Sequence, residues 1–127
     1  MQKLTRAEEE LMQVIWKLEK GFLKDIMEAI PTPKPSQSTV STILRILEKK
    51  GFVAHKVYGK SHEYYPLVPK GSYAKAFFQQ FLQNYFNGSM PSMLSFFHKE
   101  GDLKMKDLDE MMRTFELDTN DENTQES

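Results

Sequence analysis

Apolar positions fall into helical stripes along most of the chain and give way to strand-like runs once, just after residue 51. Leu11, Val14, Ile15 and Leu18 form an i, i+3, i+4, i+7 stripe, and Thr5 followed by Glu8 is a capping box. A first helix is predicted from there to Gly21, which supplies the stop. Leu23, Ile26, Met27 and Ile30 predict a shorter second helix, ended by "PTPKP", since each proline lacks an amide donor and disfavours helix before it. The third stripe, Val40, Ile43, Leu44 and Leu47, lies in "PSQSTVSTILRILEKKG". Ser36 is its candidate N-cap, Lys49 and Lys50 suit its C-terminal dipole, and Gly51 ends it.

"FVAHKVY" and "HEYYPL" carry the β-branched and aromatic residues of strands, joined by Gly59-Lys60-Ser61. They predict a hairpin over 52–67, with Pro66 at the end of an edge strand. After Pro69, Tyr73, Phe77, Phe78, Phe81, Leu82, Tyr85 and Phe86 line one broad face of a fourth helix, ended by Asn87-Gly88. Two shorter amphipathic pieces follow, separated by Gly101-Asp102: Met90, Met93, Leu94 and Phe97, then Leu108, Met111, Met112 and Phe115. The last stretch, "DTNDENTQES", has no apolar residue and is expected to be disordered.

The fold class expected is therefore mainly α with a small β-hairpin. Helix, helix, helix, hairpin is the order of a winged helix-turn-helix, here over residues 1–70, followed by a three-helix region over 71–117 and a tail over 118–127. Three short helices so rich in Phe, Tyr and Met cannot bury all their apolar surface against one another. The cover is either the N-terminal domain or, more commonly among soluble proteins, a second copy in a symmetric homodimer. The candidate dimerisation residues are Phe77, Phe78, Phe81, Tyr85, Met93, Phe97, Leu108, Met111, Met112 and Phe115.

In a winged helix the third helix turns its outer face to the DNA major groove. That face here carries Gln37, Ser38, Ser41, Thr42 and Arg45. Ser and Thr are weaker helix formers than Glu or Lys, so using Ser38, Thr39, Ser41 and Thr42 in one half-helix sacrifices propensity where contact is wanted. Candidate base-facing residues are Gln37, Ser38, Thr39, Ser41, Thr42 and Arg45; Lys34, Lys56 and Lys60 are candidates for phosphates.

Charge sharpens this reading. Residues 1–70 hold 12 Lys and Arg against 8 Asp and Glu, and residues 71–127 hold 5 against 10, so a polyanion is drawn to the N-terminal part. Cysteine is absent, which excludes disulfides, thiolate metal sites and a cysteine nucleophile. His55 and His62 lie on opposite arms of the hairpin, but as a metal pair they lack a third ligand. No phosphate-cradling glycine loop, nucleophile elbow or carboxylate cluster is present, so the chain reads as no enzyme and needs no cofactor or metal. Nothing in it has the length of a signal peptide core or a membrane span, and the expected location is cytoplasmic.

Three stretches, "LTRAEEELMQVIW", "STVSTILRILEKKGFVAHKVYGKSHEYYPL" and "NYFNGSMPSMLSFF", resemble the penicillinase-repressor family of bacterial transcription regulators, also called the methicillin-resistance-repressor family. The resemblance covers residues 4 to about 117. It implies a homodimer on a palindromic operator, repression of antibiotic-resistance or envelope-stress genes, and relief when a membrane-embedded sensor leads a protease to cut the dimerisation region. The family's cleaved Asn-Phe bond corresponds here to Phe96-Phe97, with phenylalanine in place of asparagine. Two other readings stay open on the residues alone: a winged-helix protein-interaction module, and a regulator answering to a small effector.

Overall fold

A computed structural model describes residues 2–107, 109, 110 and 113 of the 127-residue chain. Its elements are α1 (Arg6–Leu18), β1 (Gly21–Phe22), α2 (Leu23–Ala29), α3 (Gln37–Lys49), β2 (Val53–Tyr58), β3 (Ser61–Pro66), α4 (Lys70–Phe86) and α5 (Met90–Lys99). The capping box forms as the sequence predicts: Thr5 Oγ1 accepts from the Glu8 amide and Glu8 Oε1 accepts from the Thr5 amide, both at 3.2 Å. Glu8 is buried, and the Lys50 ammonium reaches it while also donating to the Lys3 carbonyl at 3.0 Å. Burial pushes the Glu8 carboxyl up, but the Lys50 and Thr5 contacts together outweigh it and hold its pKa below the ordinary value. Lys50 is thus a tie between α3 and α1, not part of a free basic surface.

Two local expectations are corrected. Gly21 does not stop α1; Glu19 does, with φ of 69° and its amide on the Ile15 carbonyl at 2.8 Å. Gly21 instead begins β1, where a Cβ would lie 3.2 Å from the Asp25 Cβ. That close approach lets the Asp25 carboxylate accept from the Phe22 amide at 2.9 Å and open α2. The hairpin is also joined by this extra strand, in the order β1-β3-β2, all antiparallel. β3 is therefore central, yet β1 pairs only with Glu63 and Tyr64, so Pro66, opposite Val53, still sits where the strand has an open side. Gly59 alone has positive φ in the two-residue link between Tyr58 and Ser61, the pattern of a type II′ turn.

The chain divides into two compact units that part between Ala76 and Phe77, within α4. In the first, Leu11, Met12 and Ile15 of α1, Ile26 of α2, and Val40, Leu44 and Leu47 of α3 close over Leu4, Phe52 and Val53. The predicted stripes of the three helices all face this core. Its outer layer is tied by Trp16 Nε1 donating to the Val68 carbonyl at 2.8 Å and the Tyr73 hydroxyl donating to Glu9 Oε2 at 3.0 Å. Three helices with a sheeted hairpin make this unit a winged helix.

The second unit has a smaller buried set, Leu82 of α4 with Met93 and Leu94 of α5, ringed by Phe78, Phe81, Phe86, Met90, Phe97 and Leu103. Ser89 caps α5, its Oγ accepting from the Ser92 amide at 3.1 Å. Leu108, Met111, Met112, Phe115 and the tail 118–127 lie outside the described residues.

Candidate nucleic-acid interface

Helical geometry fixes what α3 presents. Its buried side is Val40, Leu44 and Leu47, so Ser38, Thr42 and Arg45 lie opposite, with Lys49 one turn beyond Arg45; all four are exposed. Gln37 and Thr39 are exposed near the N-terminus, and Ser41 is half-buried. Lys49 suits the helix dipole, but its spacing, i+4 from Arg45 and i+7 from Thr42, also puts it on this face.

The hydroxyls are not equivalent. Ser36 Oγ accepts from the Thr39 amide at 3.1 Å and shares hydrogen bonds with Ser38 Oγ at 3.2 Å and Thr39 Oγ1 at 2.8 Å. Thr42 Oγ1 donates to the Ser38 carbonyl at 2.9 Å. Among the described residues no hydrogen bond or ion pair holds Gln37, Ser41, Arg45 or Lys49.

The cations divide in the same way. Lys34 donates to the carbonyls of Met27 at 2.6 Å and Glu28 at 3.1 Å, satisfying groups left open at the end of α2. This role was not visible in the sequence, where Lys34 was a candidate for phosphate; one ammonium proton remains for such a contact. Lys56 stands on β2 with its ammonium 5.8 Å from the centre of the Tyr65 ring, and Lys60 is exposed in the turn.

α3 and the hairpin are joined on one side. Glu48 pairs with His55 Nδ1, and the His55 ring stacks on His62 at 4.2 Å with 8° between planes. Tyr64 lies beside them; burial raises its pKa, the Glu48 charge adds to the rise, and the Arg45 charge opposes it. Arg45, exposed and three residues before Glu48, thus stands on the outward face of α3 at its hairpin-side edge. Among the described residues no three His, Cys, Asp or Glu side chains converge on a possible metal position.

Phe96 and Phe97 both lie within α5, Phe96 half-exposed. The candidate dimerisation residues separate into two groups. Met93 is buried in its own unit with Phe78, Phe81 and Phe97 packed around it, whereas Phe77 and Tyr85 are exposed.

The family pattern described as penicillinase repressor matches residues 4–116. The chain belongs to that family. Its members are DNA-binding transcriptional repressors, not enzymes. Among similar proteins, the methicillin resistance regulatory protein MecI of Staphylococcus aureus is 28% identical over 110 residues, covering 86% of this chain and 89% of MecI. The penicillinase repressor of Bacillus licheniformis is 28% identical over 115 residues, covering 90% of each. The solution structure of the DNA-binding domain of the repressor BlaI aligns with a TM-score of 0.50 and 31% identity, over 57% of this chain and 94% of that domain. Among the described residues no helix is long and apolar enough to cross a membrane.

Proposed function

We propose that the chain is a cytoplasmic homodimeric repressor that binds a palindromic operator, residues 1–70 contacting DNA and residues 71–117 joining the copies. The observation that carries this is the outward face of α3, where Arg45, Ser41, Gln37 and Lys49 stand without protein partners in a winged helix. Arg45 hydrogen-bonds a base edge, while Lys56 and Lys60 on the hairpin hold phosphates of the adjoining groove. The names of MecI and the Bacillus repressor support control of genes for antibiotic resistance. Relief follows from cleavage at Phe96-Phe97 by a protease linked to a membrane sensor; because that bond lies within α5, the helix must locally unwind to enter a protease cleft.

A retarded-gel titration of the full chain with the DNA upstream of its own gene tests the reading. A sequence-specific complex that weakens log-linearly with rising salt is expected. Arg45→Ala should weaken the specific complex by about 1–3 kcal/mol, and Lys60→Ala should lower affinity on all sequences and reduce the salt slope by about 1. Equal losses on operator and random DNA for Arg45→Ala would refute base reading by this residue.

A further inference from the structure

The outer face of α3 is two stripes, not one. Ser38, Ser41 and Arg45 follow one another at i, i+3 and i+7, and so do Thr39, Thr42 and Ile46, one residue along. The first stripe runs on the side of Glu48, which lies i+3 from Arg45 and i+7 from Ser41 and pairs with His55 of the hairpin. The second runs along the other flank, and its last member, Ile46, is an aliphatic side chain left 38% exposed on a helix whose other aliphatic residues face the core.

Hydrogen bonding decides what the second stripe offers to a ligand. Thr42 Oγ1 is turned back along the helix onto the Ser38 carbonyl, and Thr39 Oγ1 is turned back onto Ser36 Oγ. Thr42 Oγ1 has thereby spent its hydrogen on the backbone, Thr39 Oγ1 is held against the cap, and each Cβ also carries a Cγ2 methyl that can pack against a ligand. Two threonines that read as polar in the sequence thereby join Ile46 in an apolar strip. In the major groove only thymine presents a matching group, its C5 methyl.

We propose that Thr39, Thr42 and Ile46 form a methyl-reading strip that selects thymine in each operator half-site, with Thr42 at its centre, beside the hydrogen-bonding strip that ends in Arg45. This rests on the operator-binding reading given above. It assigns specificity to van der Waals contact with a pyrimidine 5-methyl group, and to the methyl of Thr42 instead of its hydroxyl.

The experiment compares the full chain on its operator, mapped by footprinting, with operators in which thymines are replaced one position at a time by deoxyuridine, which lacks only that methyl. At one or more positions of each half-site, deoxyuridine should weaken binding about 4-fold, the factor for one buried methylene-sized group. Thr42→Val, which keeps the methyl and removes the hydroxyl, should preserve both affinity and the thymine preference. Thr42→Ser, which does the reverse, should bind the thymine operator more weakly and lose the preference at one position. Thr42 is exposed, and melting curves of both variants verify that the fold is kept. A specific complex indifferent to deoxyuridine at every position, or a Thr42→Ser protein with unchanged preference, overturns the methyl strip alone. Failure of the unaltered chain to form any sequence-specific complex overturns the operator reading, and the strip with it.

Discussion

The two units of the chain are built on different terms. The first closes ten apolar side chains away from water, drawn from three helices, Leu4 before α1, and Phe52 and Val53 at the entry to the hairpin, and adds two long-range hydrogen bonds at Trp16 and Tyr73. Among the described residues the second closes three, and leaves Phe77 at 59%, Tyr85 at 72% and Phe96 at 49% exposure. The first unit also exposes apolar groups, Ile46 on the α3 flank and Val57, Tyr58 and Leu67 on or just after the hairpin. The difference separates a part that is stable by its own packing from one whose aromatic surface calls for another surface to cover it.

The sharpest way to break this contrast is in the first core. Phe52→Ala should cost about 3–5 kcal/mol in urea unfolding, as for an aromatic removed from a closed interior. A loss under 1 kcal/mol would mean that the core is not the main source of stability. Lys50→Met strands the buried Glu8 carboxylate and should cost about 3 kcal/mol, the low end for breaking a buried pair because Lys50 keeps some access to water. The same pair sets an acid limb. Since the folded pKa of Glu8 lies below 4.5, its stabilisation is present above that pH and is lost as pH falls through the folded value. The acid loss seen by calorimetry should shrink in Lys50→Met.

On the second unit the proposed homodimer makes an opposite demand. Replacing Phe77 and Tyr85 together by Ser should leave the melting of the first unit unchanged and weaken self-association by about 2 kcal/mol, the scale of an aromatic hot spot. Sedimentation equilibrium measures it, and an unaltered association constant would remove these residues from the interface. The smallest effect is expected at Tyr73→Phe, about 1 kcal/mol for the lost hydrogen bond to Glu9. Burial first, then Glu9, pushes the Tyr73 pKa up to about 12, so its stabilisation is whole below about pH 10 and fades as pH rises through 12. Alkaline titration followed by tyrosinate absorbance should show that late step and lose one tyrosine's share of it in the variant.

How far the chain could be read in advance follows the range of the interactions. The helices of the winged unit, the Thr5 cap and the hairpin were legible because each rests on spacing within a few residues. β1 was not, because two residues carry no alternation, and Glu19 held the left-handed position that glycine would be expected to take. The face of α3 was legible as a set, yet its division was not. Which threonine hydroxyl is turned inward depends on the Ser36 cap and the Ser38 carbonyl. Lys34 reads as a phosphate candidate and Lys50 as a partner of the helix dipole until three-dimensional partners, Met27 and Glu28 for one and Glu8 for the other, are in view.

Trp16 gives the molecule an optical property suited to this division. It is the only tryptophan in the chain, its indole hydrogen-bonded to Val68 with the Tyr73 ring 5.6 Å away. The second unit contains tyrosine and phenylalanine but no tryptophan. Emission excited at the red edge of indole absorption therefore reports the first unit alone, while helix signal reports both. Followed together in one titration, the two signals would tell whether the halves melt as one body or in succession, without a label.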